Sequence, residues 1–126
     1  MHADGYAGFN GLFGDGKANE MACMAHIRRK FVDVQQAQGG AMAAEAIRRI
    51  AALYAVEKEA RGKAPQERAA LRQEKALPLF DGLETWLAAQ LPKMSGKTPL
   101  AGAIRYALNR MPKARPYLDN GFLELD

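Results

Sequence analysis

Apolar positions recur along most of this chain at three- and four-residue intervals, the spacing of one helix face. The clearest stripe lies in residues 41–61, where Ile47, Ile50 and Tyr54 align and Ala43, Ala46, Ala51 and Leu53 broaden the face. Glu45 stands three and four residues before Arg48 and Arg49, and Glu57 four before Arg61, spacings that suit ion pairs on a solvated face. Upstream, Ile27, Phe31 and Val34 predict a helix over about 24–37. Arg28, Arg29 and Lys30 fall mostly off its apolar face, and Gly39-Gly40 ends it. A third stretch, 65–91, repeats Phe80, Leu83, Leu87 and Leu91, with Trp86 beside them. Pro78 interrupts that pattern and predicts a kink or break near Leu77.

Thr98-Pro99 is a helix start, a capping hydroxyl followed by proline at the first helical position. Leu100, Ile104, Ala107 and Leu108 supply its buried side, and Pro112 is expected to close it. "DNG" at 119–121 predicts a turn, and "FLELD" the beginning of a strand or an extended lead-in.

Residues 1–22 have another character. "YAGFNGLF" places Tyr6, Phe9, Leu12 and Phe13 at helical spacing for one or two turns. "GDGKANE" reads as a turn, and "ANEMACMA" as a short buried strand. The fold class is therefore mainly α, about five helices with one or two short strands.

Composition adjusts this picture little. The 126 residues suit one domain, and 48% hydrophobic with 25% charged is a globular balance without a disorder signature. One cysteine excludes an internal disulfide. With no secretory signal or long apolar span, an intracellular, cytoplasmic protein is the expectation. Eighteen Lys plus Arg against fourteen Asp plus Glu give a formal charge of +4, compatible with a nucleic-acid partner without demanding one.

Four features could carry chemistry. Asp4, followed by Gly5, could project a carboxylate towards a divalent metal, although a turn or helix-capping aspartate is the commoner use of such a pair. Cys23 and His26 have a Cys-x-x-His spacing, yet structural zinc takes four ligands and the chain offers one cysteine and two histidines. The basic set Arg28, Arg29, Lys30, Arg48, Arg49, Arg105, Arg110, Lys113 and Arg115 could meet phosphates if the charges share a surface. A solvated surface explains them equally well. Few acids dilute the 105–115 group. Trp86 adjoins an apolar stripe and reads as core rather than a base-stacking platform.

"ADGYAGFNGLF", "ACMAHIRRKF", "AAEAIRRIAALYAVEKEARGKAPQERAALRQEKALPLFDGLETWL" and "KTPLAGAIRYALNRMPKARPYLDNGFLELD" occur in that order and cover essentially the whole chain. Together they resemble the transposases of the insertion sequence 66 family. The resemblance implies a DDE-type enzyme with a ribonuclease H-like core. Such enzymes hold two divalent ions, Mg²⁺ or Mn²⁺, on three carboxylates and cleave and join insertion-element DNA ends.

Asp4 matches the second carboxylate, as catalytic group and metal ligand, while Cys23 and His26 match positions that shape the core nearby. The family's first aspartate lies upstream of the "DGY" stretch, and its glutamate follows the "LELD" stretch. The expectation is thus one triad member, no metal bound tightly by this chain, and no strand transfer by it alone. The resemblance divides the chain into a core remnant at 1–38, a helical insertion at 39–118 and a lead-in to the glutamate-bearing helix at 119–126. DNA is the implied partner, with Arg28, Arg29, Lys30, Arg105, Arg110, Lys113 and Arg115 as candidate contacts. A second copy or another transposase subunit is a further possible partner. A non-enzymatic helical module binding DNA or protein is the alternative reading.

Overall fold

A computed structural model of the protein describes residues 24–126; the expected turns and most of the strand expected at 18–25, with Asp4 and Cys23, lie outside the described residues, and Met24 and Ala25 of that strand are helical instead. Helix α1 spans Met24–Gln38 and α2 spans Ala41–Ala60. Gly39 and Gly40 join them at φ of 72° and 110°, in the left-handed region where a side chain would be strained, so the reversal needs no longer loop. Helices α3 (Pro65–Leu71) and α4 (Leu77–Gln90) are joined by one π-helical turn, Arg72–Ala76. A 3₁₀ turn, Leu91–Lys93, follows, then α5 (Pro99–Ala114) and a second 3₁₀ turn, Arg115–Leu118.

The fold is mainly α, and among the described residues there is no strand. Residues 122–126 form no strand, with Phe122 still in the turn, Leu123 in a bend and 124–126 irregular, and the turn at 119–121 is present. Leu123 N–H donates to the Asn120 carbonyl (3.0 Å) and Phe122 N–H to Asn120 Oδ1 (2.9 Å).

The irregularity expected near Leu77 is present as a π turn, whereas Pro112 does not close its helix. Pro78 does not break the helix. It lacks an N–H and would crowd the carbonyl four residues earlier; the wider π turn immediately before it accommodates both effects. Pro112 lies inside α5, which continues to Ala114. It is exposed, and on a solvent face the unpaired carbonyl it leaves can meet water. The start of α5 is as expected, since Thr98 Oγ1 accepts the Ala101 N–H at 3.0 Å.

One apolar core runs through the described residues. Helix α1 packs against α2 and α5, and α4 against the same two. Ile27, Phe31, Ile50, Leu53, Phe80, Leu83, Leu87, Ile104 and Met111 are fully buried in it. On α5, Ile104 and Ala107 are buried as expected, whereas Leu100 and Leu108 pack at its margin. Trp86 also sits at the margin, half-buried, with the Arg49 guanidinium 5.0 Å from its ring centroid.

The segment after α5 closes the bundle. Arg72, 1% exposed, points from the π turn into this segment. Its Nη1 donates to the carbonyls of Tyr117 (2.9 Å), Asn120 (3.2 Å) and Leu123 (2.9 Å). Its Nε and Nη2 form a forked pair with Glu57 at 2.9 and 2.7 Å. Glu57 thus turns to Arg72 rather than to Arg61, its expected partner four residues on. Arg68 Nε and Gln73 Nε2 donate to the carbonyls of Gly121 and Leu118. The loop lies so close to α3 that a Cβ on Gly121 would collide with the Pro65 backbone.

Candidate functional site

Consecutive helix residues are 100° apart, so Arg28, Arg29 and Lys30 cannot share one face of α1. All three are exposed. Arg29 pairs with Asp33 at 3.3 Å, an exposed contact of little stabilising value. Lys30 lies on the flank towards α5, where its Nζ is 4.9 Å from the Tyr106 ring centroid.

On α5, Tyr106, Arg110 and Lys113 follow i, i+4, i+7 spacing and form one stripe. The Arg110 guanidinium carbon lies 4.6 Å from the same Tyr106 ring. Half-buried Tyr106 therefore joins a cation from α1 to one from α5, with exposed Lys113 one turn further on. Arg105 is exposed about a third of a turn away, with its Nη1 near the Gly96 loop. Among the described residues no carboxylate pairs with Lys30, Arg105, Arg110 or Lys113 within 4.0 Å.

Arg115 differs from them. Its Nη2 is 2.8 Å from Asp81 and 2.6 Å from Glu84, and its guanidinium lies over the Phe80 ring. Burial disfavours its charge, but these two carboxylates outweigh that and raise its pKa. Its charge is balanced within the fold. Arg48 and Arg49 are likewise both held by Glu45, at the expected spacing.

The structure thus gathers Lys30, Arg110 and Lys113, keeps Arg28 and Arg29 apart from them, sets Arg105 beside them and ties Arg115 to α4. The sequence reading missed Tyr106 as the element joining the two helices. Its signal was the i, i+4, i+7 run with Arg110 and Lys113, but only the packing of α1 on α5 brings in Lys30.

For the family's divalent ions, the donor set is the test of fit. Among the described residues no group of three or more His, Cys, Asp or Glu side chains gathers to hold a metal ion. His26 is exposed at the start of α1. The described helices alone do not fit such ions. No described helix is long and apolar enough to cross a membrane.

Comparison with known proteins gives this helical unit its context. The family described as Transposase IS66 family matches residues 1–126. The chain belongs to the IS66 transposase family. It is similar to the uncharacterized protein y4qI of Sinorhizobium fredii, 35% identical over 133 residues, which cover 100% of this chain and 25% of that protein. The uncharacterized protein y4jD of the same organism is 33% identical over 132 residues, covering 100% of this chain and 26% of that one. The chain spans about a quarter of the length of these curated relatives. No solved structure matches it. Family membership supports a role related to transposition, and divalent-metal use belongs to the intact family.

Proposed function

We propose that this IS66-family chain serves DNA transposition and that its described helices contact DNA phosphates through Lys30, Arg110 and Lys113. The observation that carries this reading is the meeting of Lys30 and Arg110 on the Tyr106 ring, with no carboxylate within 4.0 Å of either among the described residues. Two uncompensated cations held together repel each other, and a polyanion on that ridge relieves the repulsion while releasing its own counterions. Arg115, balanced by Asp81 and Glu84, is a structural charge in this reading. Arg28, Arg29 and Arg105 lie at the edges of the contact.

Asp4 is the proposed metal-binding carboxylate of a ribonuclease H-like core, by its match to the family's "DGY" stretch. In the family pattern the carboxylates lie outside these helices, which supports a division of labour in which the helices bind and the core reacts. The purified chain is then expected to bind duplex DNA and to join no strands with Mg²⁺ or Mn²⁺. Both arms are measured together, by anisotropy of a labelled insertion-end duplex at rising salt and by a strand-transfer assay. Salt-independent binding contradicts the phosphate contact. Metal-dependent joining that disappears in Asp4→Ala contradicts the division of labour.

A further inference from the structure

The end of the described chain returns to its beginning. Leu125 is 3% exposed, inserted in the core beside fully buried Met24. The Met24 N–H donates to the Leu125 carbonyl at 3.4 Å, and the Ala25 N–H to Asp126 Oδ1 at 2.9 Å. The Tyr54 hydroxyl, on α2, donates to both carboxylate oxygens of Asp126, at 2.7 and 2.9 Å. Asp126 therefore caps α1 from a hundred residues away, placing negative charge at the positive end of that helix.

The two halves of the returning segment are held differently. From Tyr117 to Leu123 its carbonyls are gripped by fully buried Arg72. Beyond Leu123, the bonds of Asp126 with Ala25 and Tyr54 are open to water, which competes for each of them. Only Leu125 is buried there. The outer half can consequently let go while the inner half, and the core behind it, stay in place.

We propose that residues 124–126 form a latch on the first turn of α1. Its release would loosen the start of α1, the point at which the chain from Asp4 enters the helical unit. This goes beyond the DNA-contact reading and stands independently of it.

Amide hydrogen exchange on the full chain, resolved residue by residue, tests the latch. First-turn amides have no acceptor within their own helix, so protection at Met24 and Ala25 reports on Leu125 and Asp126 directly. Wild type is expected to protect both. Asp126→Ala should speed their exchange by about tenfold, and Tyr54→Phe, which keeps the ring packed, by less, with Leu83 and Leu87 on α4 unchanged. The latch is wrong if these two amides are unprotected in wild type or unchanged in Asp126→Ala. It is also wrong if protection falls equally in α1, α2 and α4, because Asp126 would then be only a general stabilising contact.

Discussion

Arg72 and Glu57 form a buried forked ion pair, with Nη2 to Oε1 at 2.7 Å, joining the π turn to α2 and, through the free side of the guanidinium, to the closing segment. Taking a guanidinium out of water is costly, and here each of its nitrogens finds an acceptor. Removing one partner strands the other. Arg72→Ala is predicted to destabilise the protein by about 3–5 kcal/mol in urea unfolding. Adding Glu57→Gln should recover part of that loss, because the neutral amide is no longer an unpaired buried charge. A loss under about 1 kcal/mol would show that the closing segment holds without this pair.

Tyr117 shows the opposite imbalance. Its ring packs against Phe80 and under the Arg72 guanidinium, while its buried hydroxyl has no hydrogen-bond partner among the described residues. Tyr117→Phe removes the stranded group and keeps the ring. It is predicted to stabilise the fold by about 1 kcal/mol, read as a rise in thermal midpoint.

The same hydroxyl gives a pH dependence. Burial, reinforced by Glu57, raises its pKa well above the ordinary tyrosine value, with Arg72 opposing. A folded-state pKa above the unfolded one contributes stability that is fully present below the unfolded value, about 10, and is lost as pH rises beyond it. Wild type should therefore lose stability above about pH 10 more steeply than Tyr117→Phe. Equal slopes in urea unfolding from pH 8 to 11 would contradict this.

Gly121 is predicted to be intolerant of any side chain, although its φ is not positive. A Cβ there would strike the Pro65 carbonyl, so Gly121→Ala must push the loop off α3 and strain the Arg68 bond to the Gly121 carbonyl. The expected cost is about 1–3 kcal/mol, measured by chemical denaturation. No loss would mean that the loop is free to move outward.

The helices were largely legible because their stripes are local. Ile27, Phe31 and Val34, or Phe80, Leu83 and Leu87, mark buried faces whatever packs on them, and Thr98 and Gly39-Gly40 announce ends through backbone chemistry. The misreadings involve partners distant in sequence. Glu57 had a plausible neighbour in Arg61, but Arg72 offers a buried fork, which an exposed i, i+4 pair cannot match. Counting back from Phe80 in steps of four reaches Ala76 and Arg72, so an arginine on an apolar stripe was the available signal. Pro112 was read as a stop, but its exposed position allows the helix to continue, and the irregularity read at Pro78 takes the form of a π turn. Of the candidate site, charge placement on α5 was legible, but nothing local shows that Arg115 is held by Asp81 and Glu84 while Lys30 meets Arg110 at Tyr106.

That contrast between Arg115 and the Tyr106 ridge supplies the most direct test of the account. It is the salt dependence of duplex-DNA affinity for wild type, for Lys30→Ala/Arg110→Ala/Lys113→Ala, and for Arg115→Ala. The account predicts that the triple variant lowers the slope of log affinity against log salt by about three, near one per lost phosphate contact. Arg115→Ala should leave that slope unchanged. A triple variant with the wild-type slope, or a larger loss from Arg115→Ala, would contradict the ridge as the DNA contact.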